Sequence, residues 1–368
     1  MTNGLLPEGL RDRLPPQAEA ASALLRAVLD CVSAHGYDRV SPPLAEFEEE
    51  LVGRLKSGRS RDLLRFVDPV SQRTLALRPD ITAQIGRIAT TRLAGAARPL
   101  RLSYGGSVLK LRATQLRPER ELIQAGAELI GSDGVAAVIE IIRVAVEALS
   151  SAGVTGITLD LTLPDLVDAL ATGPWPVDPE RIDMIKAALD AKDAGALTGA
   201  DAKRFLPLIT ATGPLENALK SLRTLGIDAL IGNRLAAIEA IAAAFPDVRI
   251  TLDPTERHGF EYQSWIGFSL FGDGLMGEAG RGGSYTIMHG AGREEAAVGF
   301  SLYLDPLVDA GLMQLTAKRI FVPTGSDVAA SAKLRSEGWI TISQISALCD
   351  PKSLGCSHVL RGKDVVAL

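Results

Sequence analysis

The stretch Tyr104–Gly131, YGGSVLKLRATQLRPERELIQAGAELIG, decides how the rest of the chain is read. Its ends, around residues 101–111 and 120–131, read as two strands joined by a polar, proline-containing loop. From Leu122 to Ile130 the alternation of a strand puts Gln124, Gly126 and Glu128 on one face. Ile123, Ala125, Ala127 and Leu129 fall on the other. The apolar face packs. The polar face offers an amide, a gap without a side chain, and a carboxylate. A glycine between two polar residues leaves floor space for a small ligand, and Glu128 is placed to accept from an ammonium or an imidazole N–H. The competing reading is an ordinary solvent-facing strand surface.

Working outward, Gln17 to His35 has helical apolar spacing, with Pro15 and Pro16 before it and Gly36 as its stop. Tyr37 to Glu46 reads as an extended strand whose adjacent prolines confine it to an edge or interface. Arg73 to Leu77 is a short strand, and Asp80 is set to N-cap a helix from Ala83 to Leu93. Beyond the hairpin, Gly134 to Ser150 is a helix. Residues 163–246 carry helical periodicity at 178–193, 199–212, 214–224 and 231–245, which reads as an inserted helical subdomain. Strands resume at 248–253 and 259–271, a glycine-rich turn follows at 272–283, and a further strand begins near Ala296. From 318 to 368 strand and helix alternate: Arg319–Pro323, Asp327–Glu337, Trp339–Ser343. Strand pairs joined locally, with helices gathered between them, indicate an α+β fold with a mostly antiparallel sheet flanked by helices. No GxGxxG opens a helix, which argues against a dinucleotide fold.

Composition narrows the function. At 368 residues the chain exceeds one typical domain, and 46% hydrophobic with 23% charged residues is ordinary for a globular protein. A net charge of −5 argues against non-specific nucleic-acid binding. The three cysteines leave one unpaired under any disulfide scheme, so a reducing cytoplasm is expected. The four histidines show no ligand spacing, and although Cys349, Cys356 and His358 lie close in sequence, no metal site is expected. No apolar run reaches the roughly 20 residues that span a bilayer.

The hairpin aligns without a gap to the second signature motif of class II aminoacyl-tRNA synthetases, and resembles the histidyl-tRNA synthetase family most closely. The segment ending at Pro43 is similar to the first motif, which forms a dimer interface in that family. The resemblance implies a histidine pocket from Asp80, Thr82, Gln124, Glu128, Tyr262 and Tyr285. Asp80 stands where the family has Glu. The family's Arg-Gly-Leu-Asp-Tyr-Tyr loop is matched by His258-Gly259-Phe260-Glu261-Tyr262-Gln263, which loses the arginine and the second tyrosine. Gly282-Gly283-Ser284-Tyr285 matches Gly-Gly-Arg-Tyr, again without the arginine. In the second motif the phosphate-gripping arginine and the adenine-holding glutamate are Lys110 and Arg112. In the third, Ala297–Leu304 matches the strand, but the γ-phosphate arginine falls on Pro306, after Asp305. Proline has no charge and no N–H, so it cannot clamp a phosphate. Adenylate formation needs cations where charge develops. The resemblance therefore implies a synthetase scaffold with no catalytic residues.

That combination resembles the family of ATP phosphoribosyltransferase regulatory subunits. Its implications are a synthetase-like domain at 1–310 and a truncated anticodon-binding-like α/β domain at 311–368. No reaction of its own and no cofactor are implied. The expected partners are a short-form catalytic subunit, a second copy of the chain, and L-histidine as effector, with no tRNA and no membrane. Two alternatives stay open: a divergent histidyl-tRNA synthetase, which needs cations near 110 and 306, or another amino-acid-binding synthetase paralogue, which would not bind the catalytic subunit.

Overall fold

The computed structural model describes residues 5–52, 63–112, 118–257, 263–314 and 318–368. One sheet carries the site. Its strands run in the spatial order Asp38–Arg39, Leu100–Leu109, Glu121–Ile130, Glu294–Tyr303, Gly280–Met288, Gln263–Phe271, Thr158–Thr162, Arg249–Asp253, Gly213–Pro214. Neighbours are antiparallel except at two pairs, Asp38–Arg39 with Leu100–Leu109 and Thr158–Thr162 with Arg249–Asp253. The expected α+β sheet is therefore present, with the hairpin second and third from one edge, behind only the short strand Asp38–Arg39.

Strand alternation divides the interior in two. The helices Gln17–Ala34 and Val135–Ser151 lay Leu24, Val28, Val32, Ile141 and Ile142 on one face, against Ala125, Ala127, Leu129, Val298 and Phe300. On the other face the helix Thr82–Thr90 packs Ile85 and Ala89, with Ile81 just before it, against Leu102, Tyr104, Ile130 and Ile287. Truncating one of these buried aliphatic side chains to alanine costs roughly 2–5 kcal/mol. Both faces of the hairpin are covered, so the solvent-facing reading of Gln124 and Glu128 does not hold: they are 0% and 1% exposed.

Several expectations are corrected. The single strand from Tyr37 to Glu46 is two pieces in two sheets. Asp38–Arg39 edges the large sheet, while Ala45–Phe47 pairs with Thr74–Leu77 in a three-stranded sheet completed by Leu64–Val67. Pro42 and Pro43, which have no N–H to donate, separate them. The segment 163–246 is largely helical and lies within the first compact unit. Its helices (Leu166–Thr172, Pro179–Asp190, Ala200–Lys203, Leu206–Thr210, Leu215–Arg223, Asp228–Ala243) bury Leu170, Leu189, Phe205, Leu222 and Ile241 in the same core as the sheet's helical face. Gly213–Pro214 even adds a strand to the sheet edge. Alanine-rich helices have faces shallow enough to merge with a neighbouring core. The glycines at 280, 282 and 283 lie in a strand rather than a turn. A Cβ at Gly282 would stand 2.3 Å from the Gly299 carbonyl oxygen and 2.4 Å from the Phe268 ring, so glycine here serves close approach.

The chain divides into two compact units, Met1–Met313 and Gln314–Leu368. In the second, Ile340–Ser343, Arg319–Val322 and His358–Arg361 lie parallel, and Asp364–Ala367 closes the order as an antiparallel edge. Asp327 caps the helix Val328–Ser336 by accepting from the Ala329 N–H at 2.8 Å. Ile320, Val322, Leu334 and Leu360 form its core. The terminal hairpin was not legible in the sequence.

Candidate functional site

Glu128 is the centre of the site. Hairpin register sets Tyr104 opposite Gly126 and Leu102 opposite Glu128, while the next strand sets Gly299 opposite Glu128 and Ser301 opposite Gly126. Glu128 Oε1 accepts from the Tyr104 hydroxyl at 3.0 Å, and Oε2 accepts from the Tyr285 hydroxyl at 2.7 Å. Burial pushes its carboxyl up to about 8; the two tyrosine bonds oppose the rise and the charge of Asp80 adds to it. Burial also drives the Tyr104 hydroxyl well above its ordinary value, so it stays a donor.

Gln124 ties this carboxylate to the start of the Thr82–Thr90 helix. Its Oε1 accepts from the Ile81 N–H at 3.0 Å. Its Nε2 donates to Asp80 Oδ2 at 2.6 Å and to Ser301 Oγ at 2.7 Å. Both amide N–H groups and the carbonyl are thus used, which fixes the amide's orientation. Ser301 Oγ lies 2.9 Å from the Tyr104 hydroxyl oxygen. Since Tyr104 has a single proton and gives it to Glu128, the serine hydroxyl donates to the tyrosine. The donors thus run in one direction, from Gln124 through Ser301 and Tyr104 to Glu128. Asp80 does not sit at the N-cap, which falls on Ile81, but its Oδ1 still accepts from the Thr82 N–H at 2.7 Å. Thr82 Oγ1 is 3.3 Å from the Tyr104 hydroxyl.

Five expected residues (Asp80, Thr82, Gln124, Glu128 and Tyr285) therefore meet through these bonds. Tyr262 and His258 lie outside the described residues. Tyr104, Ser301 and Arg281 also belong to the site and were not expected there from sequence, while Gln263, which stands for the second tyrosine of the family loop, does line the cavity. Period-two spacing from Gly299 reaches Ser301, and hairpin pairing across Gly126 reaches Tyr104, so both signals were present. The expected floor over Gly126 is filled: a Cβ there would lie 2.6 Å from the Tyr104 hydroxyl oxygen and 2.1 Å from the Phe300 carbonyl oxygen. Gly283 and Gly299 line the space that remains, with Gln263 lying over the first and Glu128 over the second.

The remaining cavity is about 10 Å³, lined by Thr82, Glu128, Tyr285, Arg281 and Gln263 among others. That is roughly the room of one water. Gln263 accounts for part of the filling. Its Nε2 donates to the Gly282 carbonyl at 2.7 Å, and its Cδ lies 2.8 Å from where a Gly283 Cβ would be. Arg281 brings a cation to the wall, with its Nε donating to Glu278 Oε2 at 2.8 Å. Among the described residues neither Asp80 nor Glu128 forms a salt bridge. The buried Arg78 guanidinium acts on Asp80 across space without pairing with it, so the two carboxyl groups suit a ligand that carries its own positive charge.

The positions matched to phosphate binding are built differently. Lys110 is half-buried and Arg112 exposed, at the end of the hairpin before residues 113–117, and neither lines the cavity. Pro306 opens the helix Asp305–Asp309. Beside it, Asp305 accepts from the Ile123 N–H at 2.8 Å and from Arg13 at 2.5 Å, and Arg11 bonds Asp309 at 3.0 Å. Cations do reach this helix, but the chain's own carboxylates take them. Cys349, Cys356 and His358 do not gather as ligands: Cys349 contacts Ser346, and His358 bonds Ser357 and meets the Trp339 ring edge-on. Among the described residues no helix is long and apolar enough to cross a membrane.

Comparison with known proteins agrees with this geometry. Residues 9–307 match the family described as Histidyl-tRNA synthetase. The ATP phosphoribosyltransferase regulatory subunit of Paramagnetospirillum magneticum is 42% identical, over 98% of this chain and 97% of that protein. Its counterpart in Rhodospirillum rubrum is 40% identical, over 97% and 95%. The solved ATP phosphoribosyltransferase regulatory subunit/histidyl-tRNA synthetase from Bacillus halodurans C covers 96% of each chain, with a TM-score of 0.78 at 24% identity, a likeness of fold.

Proposed function

The chain belongs to the ATP phosphoribosyltransferase regulatory subunit family, and we propose that it senses L-histidine for a separate short-form catalytic subunit that performs the transfer. Its own role in histidine biosynthesis is regulatory and non-catalytic. The observation that carries the sensor reading is the pair of carboxyl groups, Asp80 and Glu128, joined through Gln124, Ser301 and Tyr104 and neither ion-paired among the described residues. Histidine supplies an ammonium and an imidazole N–H for these groups, and Arg281, held by Glu278, lines the same cavity. Tyr262 would complete the pocket.

A cavity of about 10 Å³ does not admit an amino acid. Histidine therefore binds a second conformation in which Gln263 has left the glycine floor. The effector shifts the equilibrium between the two by its difference in affinity. A coupling of about 1–3 kcal/mol changes the partner's activity roughly 5- to 150-fold.

The remaining parts of the reading follow the same resemblance. The Pro43 segment would meet a second copy of the chain; Leu44 is half exposed there, beside an open groove along Pro42, Pro43 and Phe47. The unit Gln314–Leu368 would be a shortened anticodon-binding domain that reads no tRNA, and the protein would work in the cytoplasm. Reconstitution with a short-form catalytic subunit tests the proposal. Activity should require both chains and fall with histidine, and Glu128→Gln should keep activation while losing the inhibition. Equal inhibition of the variant complex would refute the pocket assignment, and failure to form a complex would refute the partner.

A further inference from the structure

On the helix-covered face of the sheet, far in sequence from the histidine site, three donor side chains of different chemistry converge. Cys31 and His35 are four residues apart, so the end of the helix Gln17–Ala34 presents both on one stripe. The third, Glu147, comes from the helix Val135–Ser151, 112 residues beyond His35. These two helices run antiparallel: Cys31 lies by Ser151, His35 by Glu147, and Tyr37 by Glu140. The donor atoms of Cys31, His35 and Glu147 all lie within 4.8 Å of one another. We propose that this seam is a binding site for a borderline-soft divalent cation of the zinc(II) class, held by the Cys31 thiolate, the His35 imidazole and the Glu147 carboxylate.

The donor set selects the ion. Sulfur and imidazole suit zinc(II), whereas calcium and magnesium take oxygen cages. Bond lengths of about 2.0–2.3 Å in a tetrahedral site put donors ~3.5 Å apart. Binding would therefore draw the donors, now within 4.8 Å of one another, together by up to about 1.3 Å. His35 already lies 2.9 Å from Glu147 Oε2, and a metal would replace the shared proton. A histidine–glutamate ion pair accounts for those two residues, while the Cys31 sulfur beside them bonds Ser151 of the facing helix. Cys31 and His35 are half-buried and Glu147 is exposed, which leaves one side open for water as the fourth ligand. Facing helices are a common frame for such sites. The seam was invisible to spacing rules because its third donor is remote in sequence.

Cobalt(II) titration of the reduced full-length chain tests the site. The expected result is one equivalent bound, with a thiolate-to-cobalt charge-transfer band and the intense d–d absorption of low coordination, displaced by zinc(II). Cys31→Ser should abolish the charge-transfer band. Glu147→Gln, an exposed change that leaves the fold intact, should weaken zinc(II) at least about 10-fold, the lower bound for losing even an outer-sphere partner. His35→Gln should do the same. A Cys349→Ser, Cys356→Ser double variant should keep the band. Absence of the band in the wild type, or its survival in Cys31→Ser with circular dichroism unchanged, would overturn the assignment.

Discussion

The residues matched to the amino-acid and phosphate halves of the synthetase site are built differently, and the difference is physical. In the amino-acid half, Gln124, Glu128, Tyr104 and Ser301 are buried and use their hydrogen-bonding capacity on one another. Deleting one leaves its partner unsatisfied in the interior, at about 1–3 kcal/mol, whether or not a ligand is present. In the phosphate half, Arg112 is exposed and Lys110 half-exposed, and Pro306 begins a short helix. Side chains that face a ligand through solvent contribute little to the fold. On the proposed reading, residues that would serve both ligand and fold are costly to lose, and those that would serve the ligand alone are not.

The sharpest way to break this comparison is Glu128→Gln. It removes one charge from a buried pair with the ligand, so L-histidine affinity should fall by roughly 2–5 kcal/mol, on the order of 30-fold or more. Titration calorimetry checks it, and an affinity within twofold of wild type would place the ligand elsewhere.

The pH response is next in size. Glu128 has its carboxyl raised from 4.5 to about 8, so the folded protein holds a proton that the unfolded chain releases between those values. Stability should therefore decline as pH rises from about 5 to about 8, and Glu128→Gln should flatten that decline in melting temperature. A cation-bearing ligand ionises the group, so histidine binding near pH 7 should release a proton. Calorimetry in buffers of different ionisation enthalpy would reveal it; buffer-independent heats would contradict it.

Gln263→Ala sharpens the comparison from the opposite side. Clearing the glycine floor raises the fraction of binding-competent protein, and histidine should bind about tenfold tighter. Weaker binding would make Gln263 a ligand contact instead. Smallest of all should be Lys110→Ala, Arg112→Ala and Pro306→Arg. Each should leave histidine affinity within about twofold, and Pro306→Arg should not restore nucleotide binding, since one cation does not rebuild a phosphate clamp.

How much of this was legible in the sequence depended on range. Strand alternation in Leu122–Ile130 separated Ala125, Ala127 and Leu129 from Gln124 and Glu128, because strand geometry is local. Family motifs brought Asp80, Thr82 and Tyr285 to the same place. What stayed hidden was long-range. Gly126 looked like open floor because nothing in its neighbourhood says that Tyr104 covers it from the paired strand. That the 163–246 helices share the sheet's core was hidden, because periodicity gives a helix's apolar face and not what covers it. The Ser41–Leu44 break between two sheets depended on which strands each flank would meet.

The central claim, a retained amino-acid site beside a lost nucleotide site, is tested most directly by titrating the wild-type protein with L-histidine and, separately, with ATP and magnesium in one calorimeter. Saturable histidine binding at one site per chain, with no heat from ATP, is the predicted result. ATP binding, or no histidine binding either alone or with the catalytic subunit present, would contradict it.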